Sequence, residues 1–112
     1  MNDRFVAKEI ISYIEENLDS DLTLDKLAEK FHYSKFYIER MFQKCTGCTV
    51  YKYIQKQRLS EAARKLQETD KAIVEIAYEA HYNSQQAFTL AFRQRYLCTP
   101  QEYRKKEVRM AA

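Results

Sequence analysis

The sequence predicts an all-α chain, and three observations predict it. Apolar residues recur at helical spacing along most of the 112 residues, with one glycine and one proline in the whole chain to punctuate hairpins or sandwiches. Good capping residues stand where each apolar period begins. The chain also says nearly the same thing twice. L-A-E-K-F-H-Y-S runs from Leu27 to Ser34, and I-A-Y-E-A-H-Y-N from Ile76 to Asn83. Both histidines, His32 and His81, hold the same place in the repeat, each followed by a tyrosine. Each copy runs on to a phenylalanine, Phe42 or Phe92, with one extra residue in the second copy.

A first helix is expected after Asn2 or Asp3, burying Val6, Ile10, Tyr13 and Ile14 and extended by Leu18, with Asp19-Ser20-Asp21 as the break. Thr23 caps a second helix with Leu24, Leu27, Ala28 and Phe31 inward. His32-Tyr33 forms a turn and Ser34 caps a third helix. Ile38, Met41, Phe42 and Cys45 lie at i, i+3, i+4, i+7 on that helix and are expected to face the core. Gly47 stands where a left-handed cap is wanted. Thr49 caps a fourth helix to about Leu66, basic through Lys52, Lys56, Arg58, Arg64 and Lys65. Thr69 or Asp70 is expected to cap a fifth helix through Ile73, Ile76 and Ala77. After the His81-Tyr82 turn, Asn83 or Ser84 caps a sixth, with Phe88, Ala91, Phe92 and Tyr96 inward. Thr99-Pro100-Gln101-Glu102 is a capping box with proline at the first helical position, so a seventh helix starts there. From about Glu107 a frayed tail is expected.

Two helix, short turn, helix units joined by a long helix follow from this reading: one over about 3–48, a linker helix over about 50–66, and a second unit over about 69–108. Histidine tolerates positive φ better than most residues, so the turn is its expected role. The charge is patterned to match. Net charge is −4 over residues 1–33, +6 over 34–65, −3 over 66–79 and +4 over 80–112. The positive blocks begin at the second helix of each repeat copy, as a protein turning two patches toward phosphates requires; the bland alternative is clustering on solvated faces.

The exposed face of each second helix carries groups that can read base edges. Phe36, Glu39, Arg40 and Gln43 in the first copy pair with Gln86, Thr89, Leu90 and Arg93 in the second. Arginine can grip guanine O6 and N7, and glutamine adenine N6 and N7. Glutamate can accept from cytosine N4, and leucine or phenylalanine can lie on a thymine methyl. Ser34, Lys35, Ser84 and Gln85 sit at helix N-termini, where phosphate binding is natural, and Arg93 is a further phosphate candidate. Cys45 and Cys48 have CxxC spacing, but a metal site needs more ligands, and free thiols are expected. Neither a nucleophile–base pair nor a phosphate-cradling glycine loop emerges, so no enzyme chemistry, cofactor, metal or small-molecule ligand is expected. With no export signal seen and no apolar run of membrane-spanning length, a cytoplasmic protein is expected.

Y-S-K-F-Y-I-E-R-M-F-Q-K-C-T-G at 33–47, Y-I-Q-K-Q-R-L-S-E-A-A-R-K-L at 53–66, S-Q-Q-A-F-T-L-A-F-R at 84–93 and T-P-Q-E-Y-R at 99–104 together resemble the DNA-binding domain of the AraC/XylS family of bacterial transcription regulators. The resemblance covers about Val6 to Arg104 and extends to the small stand-alone activators of stress and antibiotic resistance. It implies an AraC-type domain over 3–108 that binds double-stranded DNA as a monomer, with two recognition helices in successive major grooves, and that activates through RNA polymerase. It implies base contacts from Phe36, Glu39 and Arg40 and from Gln85, Gln86, Thr89 and Leu90, and a phosphate contact from Arg104. The family often has glycine where His32 and His81 stand, and a polar residue where Leu90 stands. The competing reading is a helical protein-interaction module that kept the fold and lost base reading.

Overall fold

A computed structural model describes residues 2–111, with side chains described through Lys106. It contains α1 (Asp3–Glu16), α2 (Leu24–Phe31), α3 (Lys35–Thr46), α4 (Val50–Glu68), α5 (Ile73–Glu79), α6 (Gln85–Tyr96) and α7 (Pro100–Ala111). Two compact units divide the chain, one up to Gln57 and one from Arg58. The expected all-α class, with two helix-turn-helix units and a long helix shared between them, is what forms.

In the first unit α1 starts because the Asn2 side chain accepts from the Arg4 N–H at 3.0 Å. It ends at Glu16, before the Asp19-Ser20-Asp21 break, with Asn17 as its C-terminal cap. Val6, Ala7, Ile10 and Ile14 of α1 are buried with Leu27 of α2, Ile38, Met41 and Phe42 of α3, and Val50 and Ile54 at the start of α4. Tyr13 and Leu18 pack against that core half-buried. Tyr37 of α3 donates its hydroxyl to Asp3 of α1 at 2.7 Å. Accepting that bond suits the Asp3 carboxylate and holds the Tyr37 phenol protonated, pushing its pKa up to about 12.

In the second unit the end of α4 supplies Leu59, Ala62, Ala63 and Leu66, packed with Ile76, Ala77 and Ala80 and with Phe88 and Phe92 of α6. Tyr96 stacks on Phe92 with centroids 4.5 Å apart, and Tyr103 of α7 meets Phe92 edge-on at 5.4 Å. Such ring pairs add to simple area burial. Glu79 receives Lys65 and Lys71, both at 2.8 Å, and their bonds hold its carboxyl below the usual range.

The two histidine turns form as expected. His32 and His81 have φ 62° and 69°. The Tyr33 N–H donates to Ala28 O at 3.2 Å, and the Tyr82 N–H to Ala77 O at 3.1 Å. These are the six-to-one bonds of a Schellman cap, and the tyrosine that follows each histidine supplies the accompanying apolar contact. Each histidine therefore has a backbone task, and the repeated His-Tyr pair is explained.

Three features differ from expectation. α4 is 19 residues long and reaches Glu68. α5 is capped neither by Thr69 nor by Asp70. Its N-cap is Ala72, whose N–H donates to Glu75 at 3.2 Å, while the Thr69 hydroxyl bonds back to Lys65 O within the last turn of α4. α7 runs over Pro100–Ala111; the frayed tail expected from about Glu107 falls on residues whose side chains lie outside those described. Cys45 is exposed rather than buried. The last turn of α3 lies beside Asn2, Asp3 and Arg4, polar residues that offer a thiol no apolar cover.

The helices α3 and α6 end differently. Gly47 takes φ 81° after α3, while Leu97 takes φ 63° after α6. A leucine there carries a Cβ clash that glycine lacks, and this one is 87% exposed, so it gains nothing by burial. Leu97→Gly should stabilise the protein by roughly 1 kcal/mol, and Gly47→Ala should destabilise it by a similar amount although, among the described residues, no atom beyond its chain neighbours lies within 4 Å of the added Cβ. Thermal melts of the two variants check both signs; a lower melting temperature for Leu97→Gly would refute the strain.

Candidate nucleic-acid interface

α3 and α6 are the second helices of the two turns, and each is started by a serine. Ser34 Oγ accepts from the Tyr37 N–H and Ser84 Oγ from the Ala87 N–H, both at 3.1 Å. Of the two caps expected for α6, Ser84 is the one used; Asn83 is the extra residue and lengthens the turn. One face of each helix is buried, through Ile38, Met41 and Phe42 in α3 and Phe88 and Phe92 in α6.

The opposite faces carry the expected residues. Phe36, Glu39, Arg40 and Gln43 line one shallow groove with Lys35 and Leu24. Ser84, Gln85, Gln86, Thr89, Leu90 and Arg93 line another. Phe36 is 82% exposed and Leu90 62%. Exposure of that order leaves Phe36 with no packing role against α4, and it removes the structural explanation for an apolar side chain at either position. Arg40, Gln85, Gln86 and Arg93 are exposed, and Arg93 lies near enough to the Glu102 carboxylate to help hold it ionised. Lys35 is engaged by Asp25 at 2.8 Å, but both side chains are more than half exposed, so the pair is a weak competitor for phosphate.

Two of the expected contacts are differently employed. Glu39 is half-buried, and its Oε2 accepts from the Val50 N–H at 3.1 Å and from Gln43 Nε2 at 3.5 Å. Its carboxylate thus serves the start of α4. Arg104 sits on α7 with its guanidinium turned to the other end of α4. Nε donates to Leu66 O at 2.8 Å, and one terminal nitrogen donates to Thr69 O at 3.3 Å and Lys71 O at 2.7 Å. Carbonyls at and beyond the last turn of a helix have no partner within it, and a cation there also suits the helix dipole. Sequence spacing carries no hint of this clasp, since Arg104 lies 33 or more residues from each acceptor.

Among the described residues no group of three or more His, Cys, Asp and Glu side chains gathers as a metal site would. No helix among them is long and apolar enough to cross a membrane. What the geometry offers is two groove-lining helix faces, rich in amide, guanidinium and exposed apolar groups, each presented by a capped helix-turn-helix.

The family model described as a helix-turn-helix domain matches residues 27–106. The chain belongs to the AraC-type helix-turn-helix family. It is a DNA-binding transcription regulator. The regulatory protein SoxS of Escherichia coli is 38% identical over 104 residues, covering 93% of this chain and 97% of SoxS. A transcriptional regulator with an AraC-type DNA-binding domain from Chromobacterium violaceum superposes with a TM-score of 0.84 at 31% identity, covering 88% of each chain. The DNA-binding domain of the global transcriptional factor AdpA, solved in complex with a target DNA, gives 0.81 at 25% identity, covering 89% of this chain and 90% of that one.

Within this AraC-type frame the Arg104 clasp has a direct test. Arg104→Ala leaves three carbonyls without their donor and should cost about 1–3 kcal/mol of stability, read by melting in the absence of DNA. An unchanged melt with weakened DNA binding would restore the phosphate role.

Proposed function

We propose that this regulator activates transcription by binding a specific double-stranded site as a monomer, with α3 and α6 entering successive major grooves, and by contacting RNA polymerase. The observation that carries the base-reading part is the exposed face of α3. There an 82%-exposed phenylalanine stands beside an unpartnered arginine on a helix whose other face is fully buried. The repeat supplies the second reader, and the 19-residue α4 joins it to the first. Activation and the polymerase contact rest on family resemblance alone. The reading places the protein in the cytoplasm, where its DNA is.

Phe36, Arg40 and Gln43 are the base-contact set of the first reader, and Gln85, Gln86, Thr89 and Leu90 that of the second. Ser34, Lys35, Ser84 and Arg93 are the phosphate set. Selection of bound sequences from random DNA, followed by a salt titration on the selected site, tests the proposal. A single enriched motif, a footprint spanning about two helical turns of DNA, and affinity that falls steeply with salt are expected. Absence of an enriched motif would favour the interaction-module reading.

Within that site the two halves should be unequal. Arg40→Ala should lose about 1–3 kcal/mol and relax one base pair. The half under α6 should be A·T-leaning and tolerant, because Leu90 can neither donate nor accept a hydrogen bond. Affinities for every single-base variant of the selected site decide it. If the strictest positions lie under α6, the dominance of α3 is wrong.

A further inference from the structure

We propose that Glu39 is a positioning residue that sets the reading helix α3 against the first turn of α4, and that it does not read a base. The inference rests on the DNA-binding role of α3 proposed above. Glu39 is the one acidic residue between Ser34 and Ser60, a stretch that also holds Lys35, Arg40, Lys44, Lys52, Lys56 and Arg58. On a face turned to phosphates an unattached carboxylate would oppose binding. This one is attached: its Oε2 accepts from the Val50 N–H at 3.1 Å.

That N–H needs an acceptor. The first N–H groups of a helix have no partner inside it. At α4 the Thr49 hydroxyl serves the Lys52 N–H at 3.1 Å, and Thr49 O accepts from the Tyr53 N–H at 3.0 Å, which leaves Val50 to Glu39. The position also suits a negative charge, because it lies at the positive end of the α4 dipole.

The second repeat is an internal control. With Phe42 matched to Phe92, Thr99 stands at Thr49, Pro100 at Val50 and Thr89 at Glu39. Pro100 has no N–H, so nothing there calls for a carboxylate from the reading helix, and threonine occupies the position. Thr99 and Glu102 then complete a reciprocal box, at 3.1 and 2.8 Å, that α4 cannot form because Lys52 stands at its third position. Glutamate and the orphan N–H occur together, and they are absent together.

Along α3, Glu39 lies between Phe36, three residues back, and Gln43, four residues on, with Arg40 adjacent. A bond from its carboxylate to the backbone of α4 fixes the roll and slide of α3, and with them the aim of the neighbouring reading side chains.

The test is a cycle between Glu39→Ala and Val50→Pro. The second change removes the N–H at a first helical position, where proline is tolerated. Each variant and the double variant are melted and profiled against every single-base variant of the selected site. Expected are a coupled fall in melting temperature and a roughly tenfold loss of affinity for Glu39→Ala. Discrimination should flatten across all base pairs under α3, and the same change made in the Val50→Pro background should have little further effect. Glu39→Gln, whose amide oxygen can still accept, should recover most of the loss. Three results would each overturn the proposal: a loss confined to one base pair and equal in both backgrounds; coupled melting with an unaltered base profile; or no coupling at all. A wild-type protein that enriches no motif would overturn the DNA reading itself, and this role with it.

Discussion

The sharing of α4 between two cores is the constraint on which the rest depends. Val50 and Ile54 complete the first core, and Leu59, Ala62, Ala63 and Leu66 complete the second. Units of this size bury a modest fraction of their surface and sit near the lower limit for independent stability. Neither core is whole without its part of the helix. The helix is otherwise strongly basic and rich in exposed polar residues, so its stability comes from these packed positions and from its ends. That explains the density of bonding at both ends. Thr49 and Glu39 serve the first N–H groups, while Arg104 and Thr69 serve the last carbonyls.

The same economy shapes the two turns. A three-residue connection, His32-Tyr33-Ser34, must end α2, reverse the chain and start α3. Each residue does one of these things: the histidine takes positive φ, the tyrosine donates the closing N–H and packs inward, and the serine caps. At φ 62° and 69° the two histidines accept a backbone cost of order 1 kcal/mol. The Schellman bonds and the core contacts of the following tyrosine offset it.

Much of this was legible in the sequence because it is local. Caps at Asn2, Thr23, Ser34, Thr49 and Ser84, the Thr99–Glu102 box, the positive φ at Gly47 and at the histidines, and the buried stripes of α1, α3 and α6 are each written within four or five residues. The exposed face of α3 was legible for the same reason, since Phe36, Arg40 and Gln43 are displaced from Ile38, Met41 and Phe42 by helix geometry alone. The employments of Glu39 and Arg104 were not. Both depend on which backbone groups a distant helix end leaves unsatisfied, and side-chain chemistry suited equally well to bases or phosphates disguised them. Lys52 at the third position of α4 was the one available sign that its capping box was incomplete. Cys45 misled in another way: periodicity gives direction from the helix axis, but not how far along that axis the apolar neighbours extend.

The two repeats have diverged in how they are held as well as in what they present. The first core sets Ile10, Ile14, Leu27, Ile38 and Met41 beside separate ring pairs, Tyr13–Phe31, Tyr33–Tyr37 and Phe42–Tyr53, and α3 is also tied by polar bonds at Asp3–Tyr37 and Glu39–Val50. The second is an aromatic series, with Tyr82, Phe88, Phe92, Tyr96 and Tyr103 in successive ring contacts. Aromatic packing fixes α6 through its buried face and asks nothing of its exposed one. The groove-facing positions of α6 are then released from structural duty, and neutral residues such as Thr89 and Leu90 are sufficient there. In the first unit Glu39 is spent on holding the helix, and under the proposed reading discrimination falls to its neighbours, Phe36 and Arg40. The inequality proposed for the two readers is thus the one expected when α3 is held by side chains of its exposed face and α6 is not.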